Sequence, residues 1–314
     1  MIIGHQRILK FFKKSIENKR LSHAYLFTGS SHLGKKTFAF EIIKMLTGEE
    51  MNMAVHPDII ILEPKEVETD KGVKKESEIT IGQIREIQRQ FSMFAYRSLY
   101  KIALINHAER MTSQAGNCLL KTLEEPNSKT ILILITSNSE LILPTIASRC
   151  QKINFLPVAE KEIKEKIESI PDLPKISKED LNQIIRLSNG HPGLAIQYIR
   201  DQELFKNQNN LITHLENLLR SNINDRYKYA EEMSKNIIDT QKTLSYWLFW
   251  FRDLLLLSVN CHKLTIYNNI EKYNKCYSLP KLKEIIEKIK ETKNILNNSS
   301  FNARLALEVL MLEF

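Results

Sequence analysis

The chain has 314 residues, a formal net charge of +8, and 26% charged against 43% hydrophobic residues, the proportions of a globular protein large enough for two or three domains. They argue against a membrane-spanning chain, because the most apolar stretch, 246–259, is too short to cross a bilayer and carries Arg252 and Asp253; they also argue against a zinc module, because Cys118, Cys150, Cys261 and Cys276 include no CxxC pair. The basic excess is spread along the chain, which permits contact with nucleic-acid phosphates without requiring it.

The opening Met1-Ile2-Ile3 leads directly into Gly4-His5-Gln6-Arg7, so no secretory signal is expected, and a cytoplasmic protein with reduced thiols is the simple expectation. "AYLFTG" (24–29) predicts a strand, followed by a loop and a helix from Lys36 to about Leu46. "DIIILEP" (58–64) predicts a second strand, and the charged 65–78 a solvated loop or hairpin. Helical spacing covers 81–94, "YKIALIN" (100–106) is a strand, and 113–126 is a helix stopped by Pro126. "TILILIT" (130–136) is the most apolar strand and is expected at the centre of the sheet.

Apolar strands separated by helices imply an α/β domain with a parallel sheet covered on both faces, which binds ligands at the carboxyl ends of its strands. Beyond about Pro157 the pattern is all-α. The helical segments of 158–202 are split by the proline-bearing 171–177, and 246–259 reads as a buried helix. In 302–314 apolar residues recur at helical spacing, so this segment is expected to enter a core. The expected division is 1–157, 158–202 and 203–314.

"TGSSHLGKKTF" (28–38) has the outline of a phosphate-cradling loop, with Gly29, four residues, Gly34 and Lys35 between a strand and a helix. In a working loop of this kind the lysine reaches the phosphates and the next residue, Ser or Thr, holds Mg²⁺. Here that residue is Lys36, expected to turn into solvent. Thr37 lies about 100° further round the helix and points elsewhere. ATPases of this layout carry Asp-Glu after a second apolar strand, for the metal and for activating water; this chain has Asn106 and His107. Two positions lose metal chemistry together, so hydrolysis is not expected of this chain.

"LSHAYLFTGSSHLGKKTFA", "HAERMTSQAGNCLLKTLEEPNSKTILILITSNSELILPTIASRC" and the ending "NARLALEVLML" resemble the delta-prime subunits of the bacterial DNA polymerase III clamp loader, within the AAA+ superfamily. The resemblance covers nearly the whole chain in order. It implies an AAA+ P-loop sheet domain, a small helical lid and a helical collar that holds five subunits in a hetero-oligomeric ring. The ring would load the sliding clamp on primer-template DNA, with no membrane partner. It implies degenerate ATP motifs, which Lys36, Asn106 and His107 fit, and ATP or ADP held, if at all, without hydrolysis. By the same resemblance Arg149 in "SRC" is an arginine finger acting in trans on a neighbour's ATP, with Ser148 and Cys150 positioning its loop. Thr136 stands at the polar strand end near a γ-phosphate, as a vestige. Gly193 replaces an arginine that touches ATP in active relatives. A four-cysteine zinc insert is common among relatives; with no cysteine before Cys118, no zinc is expected. An active gamma- or tau-type motor and a non-catalytic DNA-binding module stay open as alternatives.

Overall fold

The computed structural model describes residues 2–48, 56–64, 66–68, 74–127, 129–174, 176–267, 270–273, 276–296 and 301–314. The chain divides into two compact units, Met1–Pro171 with Gly190–Leu194, and Asp172–Asn189 with Ala195–Phe314.

The first unit opens with helix α1 (Gln6–Glu17), followed by β1 (Ala24–Thr28), α2 (Lys35–Thr47) and β2 (Ile59–Leu62). A short antiparallel pair, β3 (Glu66–Glu68) and β4 (Lys74–Glu76), lies inside the charged stretch, whose residues 65 and 69–73 fall outside the described residues. Then come α3 (Ile81–Phe91), β5 (Lys101–Ile105), α4 (Ser113–Glu124), β6 (Thr130–Thr136), the one-turn α5 (Pro144–Ala147), β7 (Gln151–Asn154) and α6 (Glu160–Glu168). The main sheet has the order β2-β5-β6-β1-β7, and every pairing in it is parallel. β6 is the central strand, as its apolarity predicts.

The strands read as unbroken apolar runs because both faces of the sheet are covered. Tyr25, Phe27, Ile102, Leu104, Ile131 and Ile133 pack with Phe12 of α1 and Phe38 and Ile42 of α2. The alternate residues Leu26, Ala103, Ile105, Leu132 and Leu134 pack with Ile84 and Ile87 of α3 and Leu119 of α4. β7 has no such signature. Its residues are mostly exposed, and it is held as an edge strand by its ladder to β1.

Two helix ends of the first unit fall short of the sequence expectation. The helix expected over 81–94 ends at Phe91, because the buried Lys101 Nζ takes the Gln90 carbonyl (2.9 Å) and Asn127 Nδ2 takes that of Phe91 (2.7 Å). Met93 and Phe94 therefore lie beyond the helix in a loop, Phe94 fully exposed. The helix 113–126 ends at Glu124, one residue short of the pre-proline position.

The second unit is helical: α7 (Lys178–Ser188), α9 (Gln202–Leu218), α10 (Ile223–Ser234), α11 (Ile237–Ser258), α12 (Leu279–Leu296) and α13 (Ala303–Met311), with α8 (Pro192–Arg200) contributing from Ala195 onward. Trp247, Trp250, Phe251 and Leu254 of α11 are buried with Ile285 and Ile289 of α12 and Leu307, Leu310 and Met311 of α13. The expected buried helix and the expected packing of the C-terminal segment are both found. Among the described residues no helix is long and apolar enough to cross a membrane.

Candidate functional site

At the carboxyl ends of β1, β5 and β6 lies a cleft of about 330 Å³ lined by His32, Gly34, Lys35, Lys36, Asn106, His107, Thr136 and Gly193, among others. Every nucleotide-site residue expected from the sequence is therefore in or beside one cleft, except Gly29, which acts through its carbonyl. Sheets of this kind present ligand sites at such ends.

The loop between β1 and α2 starts α2 with Gly34 in the left-handed region, φ 84°, where a side chain would be strained. His32 also has a left-handed backbone, φ 62°, as does His107 after β5, φ 54°. Non-glycine residues adopt this conformation when the surroundings enforce it. Here the loop's own carbonyls are taken up by donors of the chain. Lys35 Nζ donates to the carbonyls of Gly29 and Ser30, the latter at 2.6 Å. The Gly193 N–H donates to the His32 carbonyl at 2.9 Å, and His5 Nε2 donates to the Leu33 carbonyl at 2.9 Å.

Lys35 is buried. Desolvation brings its ammonium down to about 8, against a partly compensating attraction to Glu109. His32 is held below the ordinary histidine value, first by burial and then by the neighbouring His191 and Lys35.

Lys36 does not turn into solvent. Its Nζ lies 2.5 Å from Oε1 of Glu63, one residue past β2, and 5.6 Å from the Phe40 ring centroid. The expected solvated side chain is thus corrected to a half-exposed ion pair, because β2 ends beside the first turn of α2 and offers a carboxylate there. A fixed ammonium with its counter-charge occupies the position from which a hydroxyl would hold a metal.

Glu109 was missed by the sequence reading, although it lies two residues past His107 in "NHAER". Its Oε1 is 3.6 Å from His107 Nδ1 and 3.4 Å from the Ser137 N–H. Burial pushes its carboxyl up, but hydrogen bonds, that from His107 foremost, outweigh burial and hold it below the usual range. The Thr136 hydroxyl donates to the Asn138 carbonyl at 2.9 Å and accepts the Asn138 N–H at 3.0 Å, closing a local turn.

Lys35 is spent on loop carbonyls, Lys36 on Glu63, and residues 106 and 107 carry no carboxylate. At Gly193 an added Cβ would meet the His32 carbonyl oxygen at 2.9 Å, so no larger side chain could be accommodated there without moving backbone. Gly193→Ala is expected to cost about 1–3 kcal/mol by overpacking, read as a lower denaturation midpoint. Unchanged stability would mean that the start of α8 yields freely.

Arg149, just past α5, lies outside this cleft. Its Nη2 is 2.7 Å from Glu124 Oε1 and its Nη1 donates to the Thr145 carbonyl at 3.1 Å. Both side chains are well exposed, and pairs of this kind contribute about 0–1 kcal/mol. Ser148 Oγ donates to the same Thr145 carbonyl at 3.1 Å. Burial pushes the neighbouring Cys150 thiol up to about 12, which leaves it protonated and a poor nucleophile at neutral pH.

Residues 4–159 match the family described as DNA polymerase III, delta subunit. The chain is 27% identical to the DNA polymerase III subunit delta' of Bacillus subtilis (strain 168), over 98% of this chain and 95% of that protein. It is 30% identical to the delta' subunit of Pseudomonas aeruginosa, over 64% of this chain and 63% of that one. It is also 27% identical to the Bacillus subtilis subunit tau, over 81% of this chain but only 49% of tau.

Proposed function

The chain belongs to the DNA polymerase III delta-prime family of clamp-loader subunits, and on that premise we propose that it serves a neighbour's ATP through Arg149 while its own phosphate loop hydrolyses none. The observation that carries the second half is the self-satisfied loop, in which Lys35 is bound to the Gly29 and Ser30 carbonyls. A lysine that must give up two carbonyls to meet phosphate loses part of what that contact would contribute.

The first half rests on the arginine itself. Its fork is always charged and matches phosphate oxygens, and its side chain is exposed two residues past the one-turn α5. In this reading the residues 158–202 form a lid and 203–314 a collar. The collar places the chain in a five-membered hetero-oligomeric ring in the cytoplasm, which meets the sliding clamp and primer-template DNA as a complex. No nucleotide or zinc of its own is required.

The test is ATP hydrolysis by the isolated chain with Mg²⁺ present. The expected result is no rate that depends on Lys35, so that Lys35→Ala changes nothing; a rate that disappears in Lys35→Ala overturns the degenerate-site reading. The motor reading draws on the tau match and on the Glu109 carboxylate near Lys35. It requires that same Lys35-dependent rate, and its loss on Glu109→Gln.

A further inference from the structure

The segment "LLKTLEEP" contains a carboxylate that the proposed function leaves without a role. Glu124 is the last residue of α4, where the helix end already carries partial negative charge and an added anion is disfavoured unless a cation neutralises it. The cation that does so is Arg149, at 2.7 Å. A second anchor comes from the Thr145 carbonyl, which takes Nη1 at 3.1 Å. The Arg149 backbone N–H closes the same turn on the Ile146 carbonyl at 3.1 Å.

A surface arginine otherwise samples many rotamers, and ordering it costs entropy when it engages a ligand. Two of the five guanidinium N–H groups are engaged here, leaving three for phosphate oxygens. The pair is weak, at 38% and 50% side-chain exposure, so it is poorly suited to stabilising the fold. It can nevertheless fix the plane of the fork before a ligand arrives.

We propose that Glu124 is a positioning residue for Arg149, holding the guanidinium ordered so that the nucleotide phosphate of an adjacent subunit meets a prepared fork. This rests on the reading of Arg149 as a finger. Preorganisation of this kind acts on the chemical step more than on substrate capture.

The experiment uses the full chain reconstituted with the other loader subunits, and compares Glu124→Ala, Glu124→Gln, Arg149→Ala and the double variant. Glu124→Ala is expected to lower kcat at the served site roughly 3–10-fold with KM unchanged. Glu124→Gln, which keeps an acceptor, should fall between it and the parent. The double variant should be no slower than Arg149→Ala alone, since the effect of Glu124 passes through Arg149. Three results overturn the proposal: an unchanged or raised kcat in Glu124→Ala, losses that multiply in the double variant, or a lowered melting temperature that accounts for the loss. If Arg149→Ala leaves hydrolysis unchanged, the finger reading falls and this inference with it. If Arg149→Ala slows hydrolysis and Glu124→Ala does not, this inference alone falls.

Discussion

Replacing Arg149 by Ala is expected to slow ATP hydrolysis at the neighbouring site by about 10³-fold or more, the range over which arginine fingers act, while the loader still assembles. The variant removes one exposed guanidinium and one weak ion pair with Glu124, so folding and the buried core are untouched. Charge developing on the transferred phosphoryl group then lacks its planar, doubly donating partner. Arg149→Lys should recover little, because an ammonium keeps the charge but not the fork. Single-turnover hydrolysis on the assembled complex is the measurement; a total steady-state rate mixes this site with any others in the complex. Full activity in Arg149→Ala would remove the trans role and leave Arg149 as a surface ion pair.

The second large effect is on stability. Asp58, immediately before β2 and buried, accepts the N–H groups of Tyr96 (2.7 Å), Arg97 (2.7 Å) and Ser98 (2.9 Å), and the Ser98 hydroxyl lies at 3.3 Å. One carboxylate thus shapes the turn that feeds β5. Asp58→Ala leaves three backbone donors without this partner and is expected to cost roughly 2–3 kcal/mol, the loop's access to water moderating the loss. The denaturant midpoint should fall at unchanged slope. Burial pushes the Asp58 carboxyl up, but the N–H groups of Arg97, Tyr96 and Ser98 outweigh it and hold the carboxyl below its ordinary value. A group depressed in the folded state contributes stability that is fully present above its unfolded pKa of about 3.9 and lost as pH falls through the folded value. The parent protein should lose this contribution on acidification below about pH 4, and Asp58→Ala should show a flatter acid limb.

Much of the fold was legible in the sequence because burial leaves a local trace. The apolar run 130–136 coincides with β6, and those of β1, β2 and β5 match their strands to within a residue or two, since a strand covered on both faces must be apolar throughout. β7 left no trace, because an edge strand with exposed side chains is held by backbone bonds that any residue supplies. The end of α3 was misplaced for a related reason. "FSMF" continues the apolar pattern, yet Phe94 is exposed, and the helix stops where side chains from 101 and 127 take its last carbonyls.

The candidate site divides the same way. Gly29, Gly34, Lys35, Asn106 and Thr136 could be placed because a strand end fixes where its next residues go, and strand ends are local facts. What each polar group is bonded to is not local. Lys36 with Glu63, Gly193 with His32, Lys35 with its loop carbonyls, and Arg149 with Glu124 are pairings made by chain closure. By itself the sequence determined the order of the elements, the parallel sheet and the loss of metal-holding residue types, because side-chain chemistry and periodicity are written residue by residue. The tertiary structure alone decided that the loop after β1 is satisfied from within and that Arg149 is held by the end of α4, because a hydrogen bond needs two groups at one place and sequence distance does not say which will meet.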